Sequence, residues 1–298
     1  MKRKDIPFAF LPVNKPAGPT SHDVVAAVRR CLPRKTKVGH TGTLDPFAEG
    51  ILILAIGKAT RFSDDVHGLS KTYEGTIELG RQTNTLDPTG EVTSEMDVPY
   101  LDASIIEPVA AQFRGEIDQV PPAFSAKKVD GVRSYRLARK DKAVVLEAKR
   151  VQIEALTIQL IEPRLLRLTV TCSTGTYVRS LARDIAESLG TCGLLASLVR
   201  TSVGPVQLNH CVDLAQLSEE GIHQHRLPIG AVLSQYPEIE LPADSYQDLV
   251  NGRIFPTHEP LPTSFIGRIE RHGDVRAMFK CQYQRGVGVS SSFVCYHE

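Results

Sequence analysis

The sequence has no tryptophan and only six cysteines among its 298 residues. No two cysteines form a Cys-x-x-Cys pair or a Cys/His cluster with zinc-site spacing, so we expect free thiols in a reducing compartment and no metal site. Long hydrophobic runs are also missing, since the longest clean apolar stretch, residues 51–56, is far too short to cross a bilayer. The basic start leads into a short apolar stretch that Pro7 and Pro12 interrupt, which does not match a secretion signal. The pattern therefore predicts a soluble cytoplasmic protein.

A strong excess of one charge is missing as well, because the net charge is only +1. The distribution is uneven. Residues 1–61 carry 11 Lys and Arg against four Asp and Glu, residues 62–120 carry three against 12, and residues 121–150 carry nine against three. Such local basic blocks on a neutral chain suit a nucleic-acid phosphate backbone, although a solvated surface would give the same pattern.

Strand-like alternation dominates the pattern, and helical stretches are interspersed without regularity. Strands are predicted for residues 71–79, 151–160 and 165–172, and helices for residues 21–32 and 178–189. This predicts an α+β fold with a mixed, mainly antiparallel β-sheet and flanking helices. A proline-bounded stretch at residues 236–242 predicts a boundary between a large domain, residues 1–236, and a small β-rich domain, residues 237–298.

One polar, glycine-punctuated loop, residues 39–50, presents a single aspartate, Asp45, and runs directly into an apolar strand. Pro46 keeps Asp45 out of the helical region, which suits a reactive carboxylate mounted on a rigid element. A simple turn is the alternative, because Asp-Pro commonly starts one. The tetrapeptide Thr-Leu-Asp-Pro occurs again at residues 85–88, so we expect at most one of Asp45 and Asp87 to take part in chemistry.

The run from Gly39 to Leu52 resembles, almost residue for residue, the TruB-type tRNA pseudouridine synthases. Four further segments extend the resemblance: 71–75, 121–139, 171–184 and 198–204. In all, the resemblance covers residues 8–205 well and residues 206–298 weakly. It implies the pseudouridine synthase fold with a PUA-like C-terminal domain. It also implies a monomeric isomerase that converts uridine 55 in the TΨC loop of tRNA to pseudouridine without a cofactor.

The same resemblance assigns three catalytic residues. Asp45 initiates glycosidic cleavage, either by covalent attack on the ribose or base or by removing the ribose 2′ proton. Tyr73 stacks on the uracil and assists proton removal from carbon 5, while a core tyrosine is the alternative from the pattern alone. Arg179 forms an ion pair with Asp45, and a guanidinium beside a half-buried carboxylate favours its charged form.

The remaining site residues implied by the resemblance contact substrate. His40 fills the space left by the flipped base, and its isolation from other ligand residues argues against a metal. Tyr177 and Leu198 line the uracil pocket, and Lys15 contributes from the N-terminal loop. The basic insertion at residues 121–150 resembles a loop that grips the tRNA T-arm through Lys128, Arg133 and Arg136.

Two other functions stay open. A guide-RNA-dependent synthase of the dyskerin type shares the catalytic motifs, although the basic insertion favours direct tRNA binding. A tRNA-binding folding chaperone with incidental activity would use the basic blocks equally well, but it would not require Asp45, Tyr73 and Arg179 together.

Overall fold

A computed structural model of the chain describes residues 8–124, 128–129, 132–133, 147–240, 264–269, 275–284, 287–290 and 294–297. Side chains are described for residues 9–124 and 147–237. The strands are β1 (Phe8–Lys15), β2 (Val38–His40), β3 (Glu49–Gly57), β4 (Lys71–Leu79), β5 (Arg81–Thr83), β6 (Val92–Glu95), β7 (Gly115–Gln119), β8 (Lys128–Val129), β9 (Val132–Arg133), β10 (Lys149–Glu162), β11 (Leu165–Cys172), β12 (Gly193–Val203), β13 (Val206–Gln207), β14 (Val212–Asp213), β15 (Glu238–Glu240), β16 (Ser264–Ile269), β17 (Val275–Gln284), β18 (Val287–Ser290) and β19 (Val294–His297).

The α-helices are short and lie between the strands. They are α1 (Ser21–Arg30), α2 (Ser63–Gly68), α3 (Ala103–Gln112), α4 (Val178–Ser188), α5 (Glu219–His225) and α6 (Ile229–Val232), with 3-10 turns at Lys58–Phe62, Leu208–His210 and Leu214–Gln216.

A ten-stranded sheet organises the large N-terminal part of the chain, in the order β14-β1-β3-β12-β4-β11-β10-β7, with β2 paired to β3 and β13 to β12. The β1–β14 and β3–β12 pairs are parallel, and the other neighbours in this sheet are antiparallel. The predicted α+β class with a mainly antiparallel sheet is confirmed.

Strand β3 is apolar along nearly its whole length because both faces of the sheet are covered at this position. Leu52, Leu54 and Ile56 pack into one core cluster, whereas Ile51 and Ile53 pack into a second cluster on the opposite face. Successive side chains of a strand point to opposite faces, so a strand buried on both sides must be apolar throughout. This rigid strand follows directly after the loop that carries Asp45.

Helix α1 is fixed to that loop at its N-terminus. Thr20 is the N-cap, and its side chain and that of Asp23 form a reciprocal capping box. Ser21, the first residue of the helix, exchanges two hydrogen bonds of 2.9 Å with the backbone of Leu44. The start of α1 therefore holds the residue that precedes Asp45.

Helix α4 packs an apolar face of Val178, Leu181 and Ile185 into the main core, as its 3.6-residue periodicity predicts. Beyond it, β15 to β19 form a separate five-stranded sheet that is mostly antiparallel. These strands agree with the expected β-rich C-terminus. The domain boundary at residues 236 and 237 and the PUA-like assignment stay predictions.

Candidate active site

The Asp45 loop connects β2 to β3 and is held by hydrogen bonds from several directions. Thr41 donates its backbone N–H and its hydroxyl to the carbonyl of Ile53, at 3.0 and 3.1 Å. Arg200, which is buried in β12, donates to the carbonyls of Ile51, Thr43 and Gly42 at 2.6, 3.3 and 3.2 Å. The loop is therefore rigid without any contribution from the Asp45 side chain, which stays available.

Gly50 lets β3 approach β12 at the end of this loop. Its φ of +98° lies in the left-handed region, and a Cβ at this position would come within 2.3 Å of the Arg200 carbonyl oxygen. No other residue fits this close approach. The glycine that sequence inspection noted is thus required by the contact that aligns Arg200 with the loop.

Asp45 and Arg179 lie in direct contact. Nε of Arg179 is 2.9 Å from Oδ2 of Asp45, and the arginine side chain is 7% exposed whereas the aspartate side chain is 34% exposed. The guanidinium is thus enclosed by protein, and the carboxylate keeps a face open to solvent. A charged hydrogen bond of this length fixes the direction of the carboxylate while leaving it accessible to a substrate.

Arg179 makes three further contacts with chain segments that are distant in sequence. Nη1 lies 3.3 Å from Oδ2 of Asp87 and donates to the Thr85 carbonyl at 2.7 Å, and Nη2 donates to the Phe124 carbonyl at 3.2 Å. Phe124 belongs to the first residues of the basic insertion. One guanidinium therefore ties together both copies of the Thr-Leu-Asp-Pro tetrapeptide and the start of the insertion.

The expectation that at most one of Asp45 and Asp87 takes part in chemistry stays a prediction, but the second tetrapeptide also contacts Arg179. Asp87 is indeed a turn residue, since its Oδ1 accepts hydrogen bonds from the hydroxyl of Thr85 at 2.7 Å and the backbone N–H of Thr89 at 3.0 Å. Its other oxygen faces Arg179, and the residue is only 4% exposed.

Tyr73 and Leu198 lie on the neighbouring strands β4 and β12 and are both buried. The Arg200 guanidinium carbon is 6.0 Å from the centroid of the Tyr73 ring, at the outer limit of a cation–π contact. Burial raises the pKa of the Tyr73 phenol, Arg200 opposes this, and the charge of Asp45 adds a small upward contribution. Tyr73 is thus a neutral phenol within electrostatic reach of Asp45.

Tyr177 precedes α4 and is partly exposed. Its backbone N–H donates to Oε1 of Gln119 at 2.8 Å, which anchors the start of the helix that carries Arg179. This residue lies two positions from Arg179, on the side of the helix N-terminus. The predicted contact of the Tyr177 side chain with the uracil stays a prediction.

His40 stands at the end of β2, and its ring contacts that of His22 edge-on, with centroids 5.3 Å apart. Burial lowers the pKa of His40, and the neighbouring His22, Arg200 and His67 lower it further. Its Nδ1 is buried and has no hydrogen-bond partner among the described residues. The His40 imidazole is therefore neutral at neutral pH, and the described side chains around it form no group that could hold a metal ion.

His67 on α2 connects the Asp45 loop to the segment that precedes α4, the helix of Arg179, a role that the sequence did not indicate. Its Nδ1 lies 3.0 Å from the Thr41 carbonyl oxygen, so this nitrogen carries the proton. Its Nε2 lies 3.0 Å from the hydroxyl of Thr174, which precedes α4. One imidazole thus bridges the Asp45 loop and the loop that precedes α4.

The structure corrects the expectation that Lys15 contacts substrate. The side chain is fully buried, and Nζ donates to the carbonyls of Pro16, Pro46 and Ala48 at 2.8, 3.2 and 2.7 Å. Burial lowers the pKa of Lys15 to about 8. All three ammonium protons are occupied by the protein, so Lys15 supports the loop behind Asp45.

The three basic residues of the insertion are only partly covered. Strands β8 and β9 form a hairpin in which Lys128 and Arg133 are opposite each other, but their side chains lie outside the described residues, as does all of Arg136. Their predicted RNA contacts stay predictions.

Comparison with known proteins agrees with the resemblance. The model of the TruB family pseudouridylate synthase N-terminal domain matches residues 29–178. A tRNA pseudouridine synthase B from Solibacter usitatus is 41% identical over 273 residues, which cover 89% of this chain and 93% of the relative. The chain belongs to the TruB family of pseudouridylate synthases. A relative of the same name from Thermotoga maritima is 42% identical over 80% of this chain and 76% of its own length.

The fold is also shared with a solved structure. A chain from the crystal structure of a Cbf5-Nop10-Gar1 complex superimposes with a TM-score of 0.72 at 24% identity, over 97% of this chain and 85% of that chain. At this identity the likeness concerns the fold. As a TruB family member, the protein is a pseudouridine synthase, as the motifs predicted.

Proposed function

We propose that this TruB family protein converts uridine 55 in the TΨC loop of tRNA to pseudouridine, as a monomer in the cytoplasm and without guide RNA. The observation that carries the proposal is the contact of 2.9 Å between Arg179 and Asp45, whose carboxylate stays partly exposed to solvent. The curated relatives named tRNA pseudouridine synthase B support tRNA as the substrate. Among the described residues, no helix is long and apolar enough to span a membrane.

The reaction exchanges one bond to the ribose for another. The bond from C1′ to N1 of uracil breaks, the base turns, a bond from C1′ to C5 forms, and the proton of C5 is lost as N1 gains one. Asp45 starts this sequence, by covalent attack or by removal of the 2′ proton. Arg179 keeps the carboxylate directed at the sugar, because its guanidinium is itself held by the carbonyls of Thr85 and Phe124.

The target base must leave the T-loop stack before Asp45 can reach its ribose. Extruding a base costs a few kcal/mol, which stacking in the pocket offsets. Tyr73 supplies the aromatic face, Leu198 supplies an apolar wall, and His40 takes the space that the base leaves. The buried Tyr73 phenol stays protonated at neutral pH, so it meets the uracil as a neutral ring.

Release of tritium from carbon 5 of uridine tests the proposal directly. An unmodified tRNA transcript labelled at C5 is expected to release tritium with the protein alone, and a transcript with cytidine in place of uridine 55 is expected to release none. Release that depends on an added guide RNA would support the dyskerin-type alternative. No release by the wild-type protein, together with tight tRNA binding, would support the chaperone alternative.

A further inference from the structure

A basic surface lies beside the candidate active site and is separate in sequence from the insertion at residues 121–150. Between Asp23 and Asp64 the chain has only two acids, Asp45 and Glu49, but seven Lys and Arg. All seven of these cations are exposed. Six of them form what we call the α1 basic surface: Arg29, Arg30, Arg34, Lys35, Lys37 and Lys58.

Backbone contacts bring the six residues together. Arg29 and Arg30 form the last turn of α1, and Nη2 of Arg29 donates to the Val38 carbonyl at 2.7 Å. The Lys37 carbonyl accepts from the N–H of Gly57 at 2.8 Å, which places Lys58 next to the start of β2. The end of α1, the loop that follows it and the end of β3 therefore form one continuous surface.

The turn within this loop has an unusual conformation that exposes its cations. Lys35 has a φ of +74°, in the left-handed region that non-glycine residues rarely adopt. The turn is closed by hydrogen bonds from the backbone N–H and the hydroxyl of Thr36 to the Pro33 carbonyl, at 3.1 and 2.7 Å. Its side chains point to solvent, so the conformation is maintained without burying Arg34 or Lys35.

The exposed face of α1 connects this surface to the site. His22, Ala26 and Arg29 follow each other at i, i+4 and i+7, and all three are exposed. His22 contacts His40, which borders the Asp45 loop, and two helical turns separate it from Arg29, about 10 Å at 1.5 Å per residue. An RNA strand that leaves the site beside His40 can thus follow α1 to the basic residues.

The charges of this surface are not neutralised within the described part of the protein. None of its six cations forms an ion pair there, whereas Arg81, Arg114 and Arg150 each pair with a nearby carboxylate. Unpaired cations that are grouped on one surface attract a phosphate backbone and release its counterions when they bind it.

We infer that the α1 basic surface binds phosphates of the RNA strand that flanks the target uridine. This inference rests on the proposed function for the identity of the RNA. The surface adds a second area of electrostatic contact to the basic insertion, on the side of Asp45 where α1 lies.

The salt dependence of RNA binding tests this inference. Arg30→Ala, Lys35→Ala and Lys37→Ala in the full chain are compared with wild type for the affinity of an unmodified tRNA transcript between about 50 and 200 mM salt. Each contacting residue is expected to lower the slope of log affinity against log salt by about 0.7 to 0.9. The triple variant is expected to show the sum, with a larger loss in affinity than in single-turnover rate.

Arg167→Ala is the matched control, because Arg167 is an exposed arginine of β11 with no ion pair among the described residues. It lies three residues from Val170, the cross-strand partner of Tyr73, and therefore on the opposite face of the sheet. Its slope should equal that of wild type. Equal slopes for the triple variant and Arg167→Ala would overturn the inference.

An isolated T-arm hairpin, used as a second probe, locates the contact. A reduced slope with the hairpin places the contact within the arm, and a reduced slope only with whole tRNA places it beyond the arm; both support the surface. Tritium release by wild type is scored separately. A reduced slope without tritium release would overturn the proposed function alone, and tritium release with unchanged slopes would overturn this inference alone.

Discussion

The Asp87 carboxylate lies 3.3 Å from Nη1 of Arg179, the arginine whose Nε is 2.9 Å from Asp45. The two copies of Thr-Leu-Asp-Pro thus meet at one guanidinium, with one aspartate open to solvent and the other enclosed. The enclosed aspartate balances the charge of Arg179 and fixes its plane. Asp45 then receives a guanidinium whose orientation is already determined.

Asp45→Asn is expected to abolish tritium release, and Asp87→Asn to lower the single-turnover rate by about 10- to 100-fold. A hydrogen bond to a charged group is worth about 1.5 to 3 kcal/mol, and its loss would let Arg179 turn away from Asp45. Asparagine keeps the Oδ1 acceptor for Thr89, so the turn persists. Single-turnover tritium release measures the rates, and a wild-type rate for Asp87→Asn would show that this contact does not hold Arg179.

Arg179→Lys is expected to lose nearly as much rate as Arg179→Ala, although lysine keeps the charge. An ammonium offers a single point of contact and cannot span two carboxylates and the carbonyls of Thr85 and Phe124. The rate should fall much more than tRNA affinity in both variants.

Arg183→Lys, one turn further along α4, is the matched control and should stay near wild type in rate and affinity. A defect in affinity alone for Arg179→Lys would contradict the role of Arg179 as a partner of Asp45.

His67 variants test whether the bridge between the two loops matters for the rate. His67→Asn retains a donor near the position of Nδ1 for the Thr41 carbonyl, and His67→Gln retains a polar group near Nε2 for Thr174. Each variant loses one hydrogen bond of about 0.5 to 1.5 kcal/mol, so the rate should fall from about twofold to tenfold, and further in His67→Ala.

Thr174→Val removes the same contact that His67→Asn removes. The two should therefore have similar rates, and combining them should add little, because coupled residues are not additive. Fully additive losses in the double variant would show that the two side chains act independently.

The sequence correctly predicted the elements that have a clear local pattern and the contact that belongs to the Asp45 motif. Residues 51–56 are apolar because both faces of β3 are covered, and α4 carries an apolar stripe, so both elements could be recognised from the local pattern. The Arg179–Asp45 contact followed from the resemblance. The contact of Asp87 with Arg179 and that of His67 with Thr174 could not be predicted from local pattern. The first pair is more than 90 positions apart in the sequence and the second more than 100.

For Lys15 an expected contact with substrate is replaced by burial within the protein. The resemblance implied a substrate contact for Lys15, and lysines are seldom fully buried. The three carbonyls that surround Nζ come together only when β1 pairs with β3 and the Asp45 loop folds over their ends. No local pattern contains that information.

Lys15→Met is expected to destabilise the protein while leaving more activity than Asp45→Asn. Methionine fills similar space but leaves the carbonyls of Pro16, Pro46 and Ala48 without their donor, a loss of about 1 to 3 kcal/mol. Urea unfolding at neutral pH measures the stability, and tritium release measures the activity. Complete loss of turnover in a variant of normal stability would indicate a direct role for Lys15 in the reaction.

The stability difference between wild type and Lys15→Met should also depend on pH in a defined direction. Burial lowers the pKa of Lys15 from 10.5 to about 8 in the folded state, so between these values the unfolded chain holds the extra proton. Stability rises with pH where the unfolded state binds more protons. The full cost of burying the ammonium is therefore present below pH 8 and declines towards pH 10.5, and the advantage of wild type over the methionine variant should widen across this window. Urea unfolding of both proteins at several pH values between these limits checks this, and a difference that narrows as pH rises would mean that folding raises the Lys15 pKa.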